Sequence, residues 1–278
     1  MVVRTKAELR RAVAALRPGR VALVPTMGYL HEGHLSLIDR ARTRADHVVL
    51  SIFVNPLQFG PKEDFGRYPR DLERDVALAA ERGVDLVFAP SVEEMYPDGE
   101  PAVRVVPTRM ADTLCGAHRP GHFEGVLTVV AKLFGLVRPD VAVFGQKDYQ
   151  QAVLIRRMVA DLDLGIEIDV APIVREPDGL AMSSRNVYLD AGERARALGL
   201  ARALAHAAEA FRAGERDAGR LRDMVRAQLG AEPGVRVQYV ELVHPDTLQP
   251  LDAAIEGGVL AVAAFVGGTR LIDNVILT

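Results

Sequence analysis

What this chain has little of narrows its class before any motif is read. Cysteine occurs once, at Cys115, in 278 residues. No intrachain disulfide can form, and the chain reads as a protein of a reducing, cytoplasmic compartment. Neither sign of charge dominates: 34 Lys and Arg against 37 Asp and Glu leave a net charge of −3. That lacks the basic balance expected of a nucleic-acid partner. No apolar run is long enough to span a bilayer, so no membrane is expected as a partner. Residues 1–8 lack the apolar core of a secretory signal. There are no internal repeats or low-complexity tails, and no His or Cys pair has zinc-ligand spacing, so no protein metal site is expected. Cys115 has no neighbour that favours it as a nucleophile and reads as a small buried residue. What remains is ordinary: 49% hydrophobic and 26% charged residues, enough for a sizeable core in one large or two modest domains.

Strand-like and helix-like stretches then alternate. Residues 21–25, 48–54, 86–89, 141–145 and 166–171 are nearly continuous in Val, Ile, Leu, Ala and Phe, as parallel strands buried on both faces should be. Between them, residues 35–45, 71–82, 125–137 and 150–162 recur near a period of 3.6. The alternation predicts a Rossmann-like α/β fold, a doubly wound parallel sheet with right-handed crossovers, over residues 1–174. The pattern changes in residues 172–179. A long Ala/Arg-rich helical stretch, split at Gly214, precedes strands at 235–243, 259–266 and 269–277, with a hairpin turn at Gly267-Gly268. This predicts a smaller C-terminal α+β lid domain with an antiparallel sheet over residues 175–278.

Ligands of open parallel sheets bind beyond the carboxyl ends of the strands, and the polar motifs collect there. Met27-Gly28-Tyr29-Leu30-His31-Glu32-Gly33-His34 follows the first strand and opens a helix. Gly33 permits close approach of a ligand, and the helix start offers free N–H groups to an anion. Two imidazoles there can stabilise charge developing on a phosphate. Short His-x-Gly-His strings arise by chance, but this one lies between a strand and a helix. Met182-Ser183-Ser184-Arg185 sets two hydroxyls beside a guanidinium, suited either to phosphate oxygens or to a helix cap. Gly145-Gln146-Lys147-Asp148 ends another strand. Lys147 can set a point charge on phosphate, Asp148 can accept from ribose, and Gln151 lies one turn on. Asn55 and Gln58 offer amide donors and acceptors fitting a hydroxy acid, or form a plain Asn-Pro turn. Arg119 and His122 precede a helix and can add positive charge near an anionic substrate. Asp71, Glu73 and Asp75 mix with Arg70 and Arg74, which reads as a solvated face. His47, His206 and His244 fit no spacing. The His-x-Gly-His tetrad alone supports a protein that binds a nucleotide and moves an adenylyl group. A transferase that leaves AMP on its product and a nucleotide sensor without catalysis stay open, while size and the missing basic surface disfavour an aminoacyl-tRNA synthetase.

In order and spacing these segments, with Tyr68-Pro69-Arg70 and residues 119–125, 178–186 and 268–274, resemble the pantothenate synthetase (pantoate–β-alanine ligase) family, of the His-x-Gly-His nucleotidylyltransferase superfamily. The visible departure is Gln146, where many relatives carry Glu. The resemblance implies a cytoplasmic enzyme that uses ATP with Mg2+ as substrate and no tightly bound organic cofactor. It activates (R)-pantoate as pantoyl adenylate, and joins it to β-alanine with release of AMP and pyrophosphate. It implies that His34, His31 and Lys147 are catalytic, with His34 the general acid. Met27, Gly28, Tyr29, Leu30, His31, Glu32, Gly33 and His34 would line the ATP site. So would Gly145, Gln146, Lys147, Asp148, the backbone at Val174, and Met182, Ser183, Ser184 and Arg185, the last four as a loop that closes on the phosphates. Gln58, Gln151, Asn55, Arg119 and His122 would receive pantoate and β-alanine. A homodimer through the N-terminal domain is also implied.

Overall fold

The computed structural model describes residues Met1–Thr278. In chain order it contains β1 (Val2–Val3), α1 (Lys6–Leu16), β2 (Val21–Thr26), α2 (Glu32–Arg42), β3 (His47–Ile52), α3 (Leu72–Glu81) and β4 (Leu86–Phe88). There follow α4 (Val92–Met95), α5 (Leu114–His118), α6 (His122–Val137), β5 (Val141–Gly145), α7 (Tyr149–Asp161) and β6 (Glu167–Ala171). The chain then runs through α8 (Ala191–Arg212), α9 (Ala218–Gly230), β7 (Val235–Val243), β8 (Val259–Val266) and β9 (Thr269–Ile276). It divides into two compact units. The first is Met1–Thr108, Arg119–Gln146 and Leu154–Pro172; the second is Arg109–His118, Lys147–Val153 and Ile173–Thr278. No helix is long and apolar enough to cross a membrane.

The first unit is a six-stranded parallel sheet in the order β1-β4-β3-β2-β5-β6. Because side chains alternate along a strand, Ala22, Val24, Val48, Leu50, Val87, Val141 and Val143 all face one layer. They pack there with Leu35, Ile38 and Ala41 of α2 and Ala79 of α3. The alternate residues Val21, Leu23, Val49 and Ala142 are just as buried, and α1 and α6 lie on that other face. Burial on both sides is why these strands are apolar at nearly every position. From β2 the order runs outward through β3 and β4 on one side and through β5 and β6 on the other, so a topological switch point lies between β2 and β5. Pairing there is confined to Ala22–Val141 and Leu23–Ala142. The carboxyl ends of β2 and β5 are therefore not bonded to each other, and a crevice opens where ligands of such sheets bind.

The second unit is built on the antiparallel sheet β7-β8-β9, whose β8–β9 hairpin turns at Gly267-Gly268. A Cβ at Gly267 would fall on the Glu193 carboxylate, and its φ of +55° is a glycine conformation. One face of this sheet, through Leu260, Val262, Ala264 and Leu271, packs with Ala197, Leu200, Ala203, Leu204 and Ala207 of α8 and Leu221 and Val225 of α9. The alanines of the Ala/Arg-rich stretch are thus its buried stripe. Residues 109–118 and 147–153 belong to this unit although they precede residue 175. Gln150, 4% exposed, donates to the carbonyls of Met110 and Thr113 (both 2.9 Å), and the Cys115 thiol lies 3.3 Å from the Tyr239 hydroxyl.

Candidate active site

The loop leaving β2 is held in an unusual backbone path. Gly28 has φ +83° and Tyr29 has φ +48°. A Cβ at Gly28 would lie 2.9 Å from both an Asp75 oxygen and Ile52 Cγ2, so only glycine fits. Thr26 Oγ1 donates to the Ser51 carbonyl (2.8 Å) and accepts from Gly28 N (3.2 Å). The two successive N–H groups exposed by this path, Tyr29 N and Leu30 N, both donate to the Asp75 carboxylate at 2.6 and 2.7 Å. Arg74 Nη1 donates to the Leu30 carbonyl at 3.0 Å. Asp75 is 1% exposed, which corrects its reading as part of a solvated face. It projects inward from α3 while Asp71 caps the helix and Glu73 faces out. Burial pushes its carboxyl up, against the pull of the two backbone donors and Arg74.

His31 is then the N-cap residue of α2, with extended backbone, and its carbonyl accepts from His34 N (2.8 Å) and Leu35 N (3.0 Å). Three residues on, His34 lies on the same face, and the two rings sit 4.0 Å apart between centroids with planes at 32°. Glu32 N and Gly33 N have no acceptor within the helix, so this terminus can receive an anion at its positive dipole end. The Glu32 side chain is exposed and paired with Arg82 at 2.9 Å, leaving its backbone as the part turned to such a ligand. Across the switch point β5 ends at Gly145. A Cβ there would touch nothing within 4 Å, so no protein contact demands the glycine.

Beyond β3, Asn55 organises the next rim segment. It is 1% exposed; its Nδ2 donates to Gln58 Oε1 and to the Gly125 carbonyl, both at 3.1 Å. Its Oδ1 accepts from the Tyr96 hydroxyl at 2.9 Å and from Leu57 N. Burial pushes the Tyr96 phenol up, keeping it a donor. Asn55 is thus the frame of this segment, and Gln58 is the amide it presents, with Nε2 3.3 Å from Met27 Sδ. Arg119 and His122 meet the same segment from the start of α6. His122 Nδ1 lies 2.8 Å from the Gln58 carbonyl, and its Nε2 lies 2.9 Å from Arg119 Nη1. A carbonyl only accepts and a guanidinium only donates, so His122 is assigned as neutral with its proton on Nδ1. Arg119 also binds Glu63 in a fork, at 2.7 and 2.6 Å. Burial pushes the Glu63 carboxyl up, but hydrogen bonds and charge from Arg119 outweigh it and hold it below the usual range. The charge expected from Arg119 is matched by Glu63, a partner the sequence pattern did not point to.

The second unit carries the remaining candidates. Lys147 and Asp148 lie in a 3₁₀ turn, and Gln151 in the first turn of α7. The Lys147 carbonyl accepts from Asn274 Nδ2 at 3.1 Å. Residues 174–186 fold back on themselves: Met182 N donates to the Val174 carbonyl (3.0 Å) and Glu176 N to the Leu180 carbonyl (2.8 Å). Ser183 Oγ accepts from Arg185 N (3.2 Å), so this serine also caps the following 3₁₀ turn. Asn186 Nδ2 donates to Glu176 Oε1 at 2.7 Å and to the Ala181 carbonyl at 3.1 Å. The ends of the segment that carries Met182, Ser183, Ser184 and Arg185 are therefore braced.

A parallel sheet whose switch-point loop delivers two adjacent imidazoles to a helix start defines an α/β nucleotide-binding enzyme of the His-x-Gly-His type. Comparison with known proteins is more specific. The chain belongs to the pantoate-beta-alanine ligase family, whose model matches residues 1–276. A pantothenate synthetase of Pelotomaculum thermopropionicum is 57% identical over 279 residues, covering 100% of this chain and 99% of that relative. The crystal structure of pantothenate synthetase from Thermus thermophilus superposes with a TM-score of 0.95 at 52% identity, over 99% of both chains. That of pantoate-beta-alanine ligase from Francisella tularensis, complexed with beta-gamma ATP and beta-alanine, gives a TM-score of 0.81 at 34% identity, over 99% of this chain and 97% of that one.

Proposed function

We propose that this chain joins pantoate to β-alanine at the expense of ATP, and that the adjacent rings of His31 and His34 at the start of α2 are the observation that carries the reading. In the first step a pantoate carboxylate oxygen attacks the α-phosphorus of ATP. The bond to the bridging oxygen breaks, pyrophosphate leaves, and pantoyl adenylate forms. In the second step the β-alanine amine attacks the activated carbonyl, AMP leaves and the amine loses its proton, giving pantothenate. Neither step needs a covalent enzyme intermediate.

The chain's part is positioning and charge stabilisation. His34 acts as general acid and His31 shares the stabilisation of charge on the α-phosphate. Met27 to His34, with the amides of Glu32 and Gly33, receive the nucleotide. Gly145, Gln146 and Asp148 hold the ribose side, and the Val174 backbone meets adenine. Lys147, Met182, Ser183, Ser184 and Arg185 bind the phosphates. Gln58 and Gln151 orient pantoate, with Asn55, Arg119 and His122 fixing Gln58 in place. Magnesium enters as part of the substrate, on the ATP phosphates. No cluster of three or more His, Cys, Asp or Glu side chains is placed to cage an ion, and both Asp75 oxygens are engaged by backbone. A cytoplasmic homodimer formed through the N-terminal domain completes the proposal, and sedimentation velocity checks the dimer.

The direct test supplies ATP, pantoate and β-alanine and measures pantothenate, AMP and pyrophosphate. Free AMP in step with pantothenate is expected; an adenylyl group retained on the product would mean a transferase. His34→Ala and Lys147→Ala should each slow pyrophosphate release from ATP and pantoate by about a hundredfold or more, with the fold kept. A rate near wild type in either variant refutes that residue's role.

A further inference from the structure

The segment spanning residues 268–274 touches none of the roles above, yet its last two residues are among the most buried polar groups of the molecule. Asp273 and Asn274 are each 3% exposed. Adjacent on β9, they point to opposite faces of the strand. Asp273 lies on the face shared with Leu271 and the apolar core, where a carboxylate is costly unless paired. Its partner is Arg175, which donates to both its oxygens at 2.7 and 3.0 Å and to the Gly179 carbonyl at 3.2 Å. Arg175 pairs with Ala181 as a β-bridge, so Asp273 anchors the fold-back that leads into residues 182–185. On the other face Asn274 Nδ2 donates to the Lys147 carbonyl, and Asn274 N donates to Asp273 Oδ1 at 2.8 Å. One strand end therefore holds both second-unit segments to which phosphate binding is ascribed.

We infer that Asn274, supported by Asp273, is a positioning residue for adenylate formation: it touches no substrate and acts by fixing the backbone of Lys147. The inference rests on the role given to Lys147 above. A lysine side chain is long and flexible, and its ammonium is a point charge without directional fit. Where that charge sits is decided by where the backbone is held, and here one side-chain amide holds the carbonyl of that very residue. A displacement of about an ångström is enough to cost a large factor in rate.

The test is a double-mutant cycle in the full-length protein. Asn274→Ala is expected to slow pyrophosphate release from ATP and pantoate by roughly 10- to 100-fold. Its KM for pantoate should change little, and chemically supplied pantoyl adenylate should react with β-alanine within about threefold of wild type. In a Lys147→Ala background the same substitution should add less than about threefold, since its target is gone. Multiplicative losses in the double variant, or equal losses in both half-reactions, overturn the inference and leave Asn274 as a stability residue. Lys147→Ala at wild-type speed overturns the reading of Lys147 and the inference with it, so the two failures are distinct. Should Asn274→Ala fold poorly by thermal midpoint, Asn274→Asp keeps the shape, removes the donor and faces the same criteria.

Discussion

Asp75 shows how much of a site can be set by a residue that no motif contains. Two amides of a left-handed turn would ordinarily be a cradle for an external anion; here the Asp75 carboxylate occupies them, and the amides proposed to receive the nucleotide are those after His31. Asp75→Asn keeps the size but turns an NH2 toward one of the two backbone donors. Leaving a buried donor unsatisfied costs about 1–3 kcal/mol, and the path through residues 28–30 holds His31 and His34. Asp75→Asn is therefore expected to slow pyrophosphate release at least tenfold while the protein stays folded at assay temperature. Activity within twofold of wild type would show that the loop does not need this anchor. In the sequence Asp75 stands among alternating charges, and only the angular position of its side chain around α3 separates it from Glu73. His31, His34, Gly28 and Gln58 were legible because strand, turn and helix signals flank them. Glu63, Asp75 and Tyr96 were not, because their partners lie 56, 46 and 41 positions away.

Among the elements, α6 offers a matched pair of glycines. A Cβ on Gly125 would fall on the Leu57 carbonyl and 2.7 Å from Gln58 N, whereas one on Gly135 meets nothing within 4 Å. Gly125 thus lets α6 press against the rim segment carrying Asn55 and Gln58. Gly125→Ala should cost about 1–3 kcal/mol by overpacking and raise the KM for pantoate roughly tenfold by moving Gln58. Gly135→Ala should be neutral or stabilise by up to about 1 kcal/mol. Urea unfolding and steady-state kinetics on both variants decide the matter, and equal behaviour of the two would refute it. The strands β2 to β5 were readable because burial on both faces makes them largely apolar, whereas edge strand β6 carries Glu167 and Asp169. Two-residue β1 is too short to carry a period. The start of α1 is marked by a capping box, with Thr5 and Glu8 exchanging bonds, a signal available in the sequence that hydrophobic periodicity does not detect. Helices α2 and α6 begin at Glu32 and His122, three residues ahead of the positions marked by apolar spacing, because Glu32, Gly33 and His34 in the one, and His122 and Glu124 in the other, interrupt that spacing.

For the molecule as a whole, arginine–carboxylate pairs recur as braces. Arg40 grips Asp169 with two bonds of 2.7 Å, Arg17 holds Asp140 at 2.8 Å, and Arg119 holds Glu63. The Arg40 hydrogen bonds hold the Asp169 carboxyl below its usual range despite burial. Asp140 lies low as well: burial pushes it up, but bonds from Val21 N and Arg17 prevail. A carboxyl lowered by folding contributes stability that is present above its unfolded value, about 3.9 for Asp, and lost as pH falls through its folded one. Asp75, raised by burial, contributes with the opposite sign, its share being lost as pH rises through its folded value. The lowered group outnumbers it, so the urea midpoint is expected to fall steadily below about pH 4. Asp169→Asn should lose about 1–2 kcal/mol at pH 7 and show a shallower acid slope. An unchanged slope would exclude this pair as a source of the acid sensitivity.

The hydrogen bond from Asn274 to the Lys147 carbonyl spans 127 positions of chain. During synthesis at about 5–20 residues per second, the ribosome needs roughly 6–25 s to travel between the two. For that interval the segment bearing Lys147 waits for its clasp, while β1 to β6 already have all their pairing partners within residues 2–171. A nascent chain can thus possess a finished parallel sheet and still lack the contact that fixes this lysine. On the role proposed for Lys147, catalytic competence is thereby deferred until the β8–β9 hairpin has been translated.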